Sequence, residues 1–213
     1  MFFLFCMISC QNKKEEVVLR GIEFYPLKTG SIKTYNITSI KFNSFTGISD
    51  TLSYDILEKV AGINIDSTGD TTHRIEWYKY DSSAFDFVVY RVFTRKIDLF
   101  TAQTIDNNIR YVDLSFPVVK NKTWDGNLYN MERGARDYKY LKIFEPFSIN
   151  SKTFSETITV REAIESFGLK TLSKYSVYAK NVGLVYREHI DYEIVNTSSG
   201  QQREGTEYYI RIK

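Results

Sequence analysis

Residues 182–194 read Val-Gly-Leu-Val-Tyr-Arg-Glu-His-Ile-Asp-Tyr-Glu-Ile. Val182, Leu184, Tyr186, Ile190, Tyr192 and Ile194 fall on one parity, Arg187, His189, Asp191 and Glu193 on the other, and only Glu188 interrupts the apolar row. Successive side chains leave a strand on opposite faces, so period two over thirteen residues predicts a long strand with its apolar row on the core and its charged row in water. Antiparallel sheet with one solvated face follows.

The same reading extends outward. Downstream, Tyr208, Ile210 and Ile212 alternate with Glu207, Arg211 and Lys213 and close a terminal hairpin across a polar loop at 196–205. Upstream, Pro26 and Gly30 punctuate a turn before a strand running to about residue 42, and Leu52, Tyr54 and Ile56 alternate with Ser53 and Asp55. Strands at 60–65, 73–78, 85–93, 97–105 and 109–116 follow at hairpin spacing, with Asp106-Asn107-Asn108 as one of the turns. Residues 120–131 are loop-like around Trp124-Asp125-Gly126, and 138–144 and 157–165 are further strands. Residues 161–172 suit either helix or strand.

The chain holds 16 Tyr, 15 Phe and 2 Trp against 3 Pro and 11 Gly, a strand-forming composition. With 43% hydrophobic residues and a net charge of +2 it can bury a core, and no apolar run approaches the roughly 20 residues of a membrane-spanning helix. The expected fold is all-β: a single antiparallel, strongly curved sheet or open barrel of about ten strands, with a β-sandwich as the alternative.

The first nine residues, Met-Phe-Phe-Leu-Phe-Cys-Met-Ile-Ser, are apolar up to one serine, and polarity switches at Cys10. Met7-Ile8-Ser9-Cys10 resembles the bacterial lipobox, whose cysteine is acylated and becomes the first residue of the mature chain. Only nine residues precede Cys10 and none is Lys or Arg, shorter and less charged than an ordinary signal; a buried N-terminal strand with two incidental cysteines is the competing reading. The expected organisation is a signal peptide at 1–9, a lipidated Cys10 with a flexible tether at 10–21, and one β-rich domain at 22–213. Loss of Cys6 with the signal and acylation of Cys10 would leave no thiol for catalysis, disulfides or zinc. Lys14-Glu15-Glu16 resembles the signal that sends lipoproteins of the Bacteroidota to the outer face of the outer membrane. Surface exposure is the expectation, the periplasmic face the alternative.

Three segments together resemble a widespread group of uncharacterised Bacteroidota lipoproteins: Phe24, Pro26-Leu27 and Gly30 with Tyr35; Trp124-Asp125-Gly126-Asn127; and Tyr178-Ala179-Lys180-Asn181-Val182-Gly183-Leu184-Val185. The resemblance implies an open antiparallel sheet on a lipid anchor. It brings no catalytic residues.

Chemistry is sparse. His73 and His189 are the only histidines, no Gly-x-Ser-x-Gly elbow or His/Cys cluster exists, and His189 reads as part of a wet face shared with Arg187 and Asp191. Asp66-Ser67-Thr68-Gly69-Asp70 lacks calcium-loop spacing and reads as a turn. Asp81/Asp86 and Glu156/Glu162 are carboxylate pairs that a glycosidase could use only at a suitable separation. Asp50-Thr51-Leu52, Asp66-Ser67-Thr68 and Asp70-Thr71-Thr72 resemble O-glycosylation sites of exported Bacteroidota proteins. Arg133, Arg136, Lys139 and Lys142, with Tyr138 and Tyr140 between, form a candidate patch for an anionic ligand such as a glycan or lipopolysaccharide phosphate; the low net charge argues against nucleic acid. No cofactor or metal is expected. The leading expectation is a non-enzymatic, lipid-anchored binding or structural module whose partner is a glycan, a lipid or an envelope protein. A lipid or lipoprotein carrier with an apolar half-barrel cavity is second, and a hydrolase using His189 or a carboxylate pair in a cleft is third.

Overall fold

The structure is a computed structural model that describes residues 21–65 and 69–213. The signal, Cys10, Lys14, Glu15, Glu16 and residues 66–68 of the suggested calcium and glycosylation motifs lie outside the described residues.

One antiparallel sheet of twelve strands forms the molecule: β1 (Ile32–Asn43), β2 (Ile48–Ile65), β3 (Thr71–Asp81), β4 (Asp86–Ile97), β5 (Thr101–Asp106), β6 (Ile109–Ser115), β7 (Thr123–Asp125), β8 (Asp137–Ile149), β9 (Lys152–Phe167), β10 (Lys170–Ala179), β11 (Gly183–Thr197) and β12 (Gly200–Ile212). Their order in space is β6-β5-β4-β3-β2-β1-β12-β11-β10-β9-β8-β7. Every ladder but β1–β12 joins neighbours in sequence. The strands beyond the expected ten are β7 and β10. Residues 161–167 are strand, since Arg161 and residues 163–167 pair with β10 and Glu162 is the extra residue of a β-bulge. The 196–205 loop is instead the upper part of a tall hairpin, laddered up to Thr197 opposite Gly200. Polar side chains there face water on both sides of a ribbon, a position at which hydrophobicity carries no strand signal.

The sheet curls until its ends meet without completing a ladder. Val112 N–H donates to Gly126 O at 3.0 Å, Trp124 Nε1–H to Val112 O at 2.9 Å, and Tyr140 OH to Ser115 O at 3.0 Å. Gly126 is required here, because a Cβ would lie 2.5 Å from the Tyr138 ring. The barrel is thus nearly closed, and its two edges are largely covered.

Residues 21–27 plug one end, taken below as the bottom. A 3₁₀ turn at Ile22–Phe24 buries Phe24 and Tyr25 completely or nearly so, and Asn181 N–H ties it to the β10–β11 turn through Glu23 O at 2.7 Å. Gly183, at φ +88, stands where a Cβ would meet Lys33 Nζ at 3.1 Å and Pro26 Cδ at 3.3 Å. Hence the Pro26-Leu27 and Val182-Gly183-Leu184 motifs touch. Around this plug pack Tyr35, Ile37, Ile56, Ile75, Leu114 and Ile158, all fully buried. Burial of such side chains contributes about 1.5–3 kcal/mol each.

Candidate functional site

Above the plug the barrel holds a chamber of about 380 Å3. Tyr25, Pro26 and Leu27 form its floor, and Trp77, Phe93, Tyr138, Tyr178, Leu184 and Ile210 are among its walls. On β4 Arg91 lies beyond Phe93, on β5 Asp106 beyond Thr104, on β6 Tyr111 beyond Asp113, on β10 Lys174 beyond Tyr178, and on β12 Tyr208 beyond Ile210, each farther from the plug. The chamber therefore opens away from the N-terminal segment.

Two ion-pair centres are built into the wall. On β2 the row Ile56-x-Glu58-x-Val60 faces inward, and Glu58 is 1% exposed. Arg95, reaching across from β4, donates to both its oxygens at 2.8 and 2.9 Å; Trp77 Nε1–H adds a bond at 2.9 Å, and Lys33 Nζ stands 3.7 Å away. Burial pushes the Glu58 carboxyl up, but Arg95, Lys33 and Trp77 together outweigh it and hold the group at about 2. Burial also lowers Lys33, with Glu58 opposing.

The second centre sits on β9. Glu162 accepts from Ser176 Oγ, lies 3.0 Å from His189 Nε2 and 3.5 Å from Arg187 Nε. Arg187 also donates to Ser176 Oγ at 2.8 Å and to Tyr178 OH at 3.2 Å. Burial raises Glu162, and the Arg187 charge, the His189 bond and the Ser176 bond overcome it, again to about 2. Between the two centres, Asp113 takes Tyr25 OH at 2.6 Å and Thr104 Oγ1 at 2.5 Å, both on Oδ2. Its carboxyl is pushed up, chiefly by burial.

The inward position of Arg187 and His189 overturns the sequence reading, which sets them in water. A β-bulge is the reason. Val177 faces Tyr186 but Tyr178 faces Leu184, so Val185 is an extra residue in β11. Leu184 points into the chamber below the bulge; above it the parity changes and Arg187 and His189 do so. The displaced apolar row is partly covered from outside, where Tyr186 packs on Phe147 and Tyr175 with ring centroids 5.9 and 5.6 Å apart.

The other candidates are dispersed. Arg136 lines the chamber, whereas Arg133 lies in an exposed 3₁₀ turn and Lys142 is exposed; Lys139 alternates with the buried Tyr138 and Tyr140 and so faces the opposite side. Asp81 and Asp86 face each other at the β3–β4 tip, outside the chamber lining. Glu156 pairs with Lys180 at 2.6 Å on the surface, so it is separated from the buried Glu162. His73 stands low on β3, and burial lowers its imidazole. Thr51 and Thr71 are exposed. Among the described residues no His/Cys/Asp/Glu group could hold a metal, and no helix is long and apolar enough to cross a membrane.

Glu162 stands between Ser176 and His189. The imidazole bonds the carboxylate and not the hydroxyl, while the fully buried hydroxyl is engaged by Glu162 and Arg187. A serine nucleophile needs the opposite order, with histidine in the middle. Sequence reasoning missed Glu58, Arg95 and Asp113. A signal was present: an acid within Ile56-x-Glu58-x-Val60 and a base within Phe93-x-Arg95 occupy inward parity.

No family model matches the chain, and a search of curated proteins finds no significant match. Two solved structures are similar to it. One, described as a "putative lipoprotein" from Parabacteroides distasonis ATCC 8503, has 12% identity and a TM-score of 0.38, covering 89% of this chain and 96% of its own. The other, described as a "putative exported protein with YmcC-like fold" from Bacteroides fragilis NCTC 9343, has 11% identity and a TM-score of 0.41, covering 89% and 98%.

Proposed function

We propose that this protein is a lipid-anchored, non-catalytic binding module of the cell envelope whose ligand is polar and occupies the barrel mouth. The chamber of about 380 Å3 carries this reading. Its volume lies in the range of small-ligand sites, and buried charged groups stand among its aromatic and aliphatic walls. Supporting the non-catalytic part, each carboxylate there is already engaged by a cation or by hydroxyls, and the serine and histidine are not connected. The anchor rests on Met7-Ile8-Ser9-Cys10 and the surface location on Lys14-Glu15-Glu16; protease added to intact cells should remove the protein, and full protection would place it on the periplasmic side.

The volume also favours the second reading, a lipid carrier. The lining counts against it, since an acyl chain would have to lie against Arg187, Glu162 and Asp113, charged groups engaged within the wall that offer nothing to hydrocarbon. Native mass spectrometry of protein gently extracted from its own envelope separates the readings. A polar adduct is expected; fatty acid or phospholipid adducts alone would make it a carrier. Turnover of ester, glycoside or phosphoester substrates that disappears in His189→Gln would make it a hydrolase.

A further inference from the structure

Of the cations around the chamber, one stands without an anionic partner among the described residues. Six basic side chains line it: Lys33, Arg91, Arg95, Arg136, Lys174 and Arg187. Lys33 and Arg95 share Glu58, and Arg187 faces Glu162. At the rim Arg91 pairs with Asp106, and Lys174 lies 3.4 Å from Asp191. Arg136 makes no ion pair among the described residues. Asp113 is held by hydroxyls.

Arg136 is nevertheless firmly rooted. Its N–H donates to Asp125 Oδ1 at 2.8 Å, and its carbonyl accepts from Gly126 N–H at 2.8 Å. A fixed backbone thus presents an unpaired guanidinium at the mouth, beside a wall that includes Tyr111, Tyr138 and Tyr208. A guanidinium fork binds carboxylate or phosphate through two parallel bonds. Aromatic faces with phenol edges suit a body that is apolar on its flat side and polar at its rim. Those two demands meet in a sugar that carries an acid.

We infer that the chamber binds an acidic sugar, a carboxylate or phosphate on a single pyranose-sized ring, with Arg136 taking the anion and Arg91 and Lys174 completing a positive rim. This rests on the binding-module reading above and names its ligand class. Arg136 positions the ligand directly; Arg91 is oriented by Asp106 and by the rings of Trp77 and Phe93, whose centroids lie 5.6 and 5.8 Å from its guanidinium carbon.

The test is titration calorimetry on the full mature chain with glucuronate, glucose 6-phosphate, glucose and inorganic phosphate, at low and high salt. At least one acidic sugar should bind, and the stronger of the two tells whether the anion is carboxylate or phosphate. Glucose and phosphate alone should bind at least about tenfold more weakly, and binding of the acidic sugar should weaken with salt. Arg136→Gln should lower that affinity by about tenfold or more while leaving the folded state intact, because the side chain is exposed and unpaired; Lys139→Gln, on the opposite face, should change nothing. Equal affinity for glucose and the acidic sugars, an unaltered Arg136→Gln, or no binding of either acidic sugar would overturn the inference. A neutral adduct retained from the envelope, in any of those cases, would leave the binding module standing and only its ligand class wrong.

Discussion

Glu58 and Glu162 are built alike and end differently. Each reaches over one intervening strand to an arginine, Glu58 from β2 to Arg95 on β4 and Glu162 from β9 to Arg187 on β11, and each takes a bond from the strand between, through Trp77 and Ser176 respectively. The second cationic partner separates them. At Glu58 it is Lys33, 15% exposed; at Glu162 it is His189, 32% exposed. The Glu58 carboxylate is almost wholly buried among its partners, so the first centre acts as a rivet. The second presents the more exposed His189 to the chamber. An identical ion-pair plan thus fastens one wall and equips the other.

The largest expected effect is that of Glu58→Gln. It strands two buried cations against a neutral amide and should cost about 3–5 kcal/mol in urea denaturation. Glu162→Gln should cost less, about 1–3 kcal/mol, because Arg187 keeps its bonds to Ser176 and Tyr178; equal losses would break the comparison. Acid should act on both centres alike. A carboxyl held at about 2 when folded, against about 4.3 when unfolded, adds stability that is complete above the unfolded value and vanishes as pH falls through about 2. Unfolding free energy should therefore decline from about pH 4.5 to pH 2 in the wild type and decline less in either glutamine variant; a wild-type profile flat over that range would contradict the ion pairing. Trp77→Phe, which removes one donor from the sealed carboxylate, should cost about 1.5–3 kcal/mol. Smallest is His189→Gln, expected within about 1 kcal/mol by thermal or urea unfolding, since an amide can still donate to Glu162. A larger loss would make His189 a second rivet.

How far the sequence reveals this molecule depends on where a strand keeps its phase. In β12, Tyr208, Ile210 and Ile212 alternate as read and face inward as expected, because Ile37 and Tyr35 of β1 stand opposite in unbroken register. In β11 the alternation is equally clear, yet one extra residue at Val185 reverses which row is inside. Hydrophobicity then points the wrong way. A barrel interior that satisfies its charges internally does not need an apolar row, so Arg187 and His189 can be core-facing without looking so. The curved single sheet was readable, since it needs only strand spacing; the chamber was not, since it depends on a bulge and on pairings such as Glu58 with Arg95 that cross two strand boundaries. Of the basic run at 133–142, Arg136 alone reaches the chamber: Arg133 lies in the preceding turn, Lys139 has the outward parity, and a register shift between Tyr140 and Lys142 breaks the inward row before Lys142.

The pairing of β1 with β12 at the middle of the sheet has a kinetic consequence. All the other ladders are local hairpins that can form as the chain emerges, but Tyr35 OH must find Leu184 O across 149 residues, and Arg211 must find Thr38 across 173. Two six-stranded halves can thus assemble from local hairpins, while the seam that joins them waits for β12 to reach β1. Non-local closure of this kind slows folding. A circular permutant opened in the β6–β7 linker, with the original ends joined, would turn the sheet into an uninterrupted meander and should fold faster than the natural chain at similar stability, an outcome that stopped-flow refolding would register.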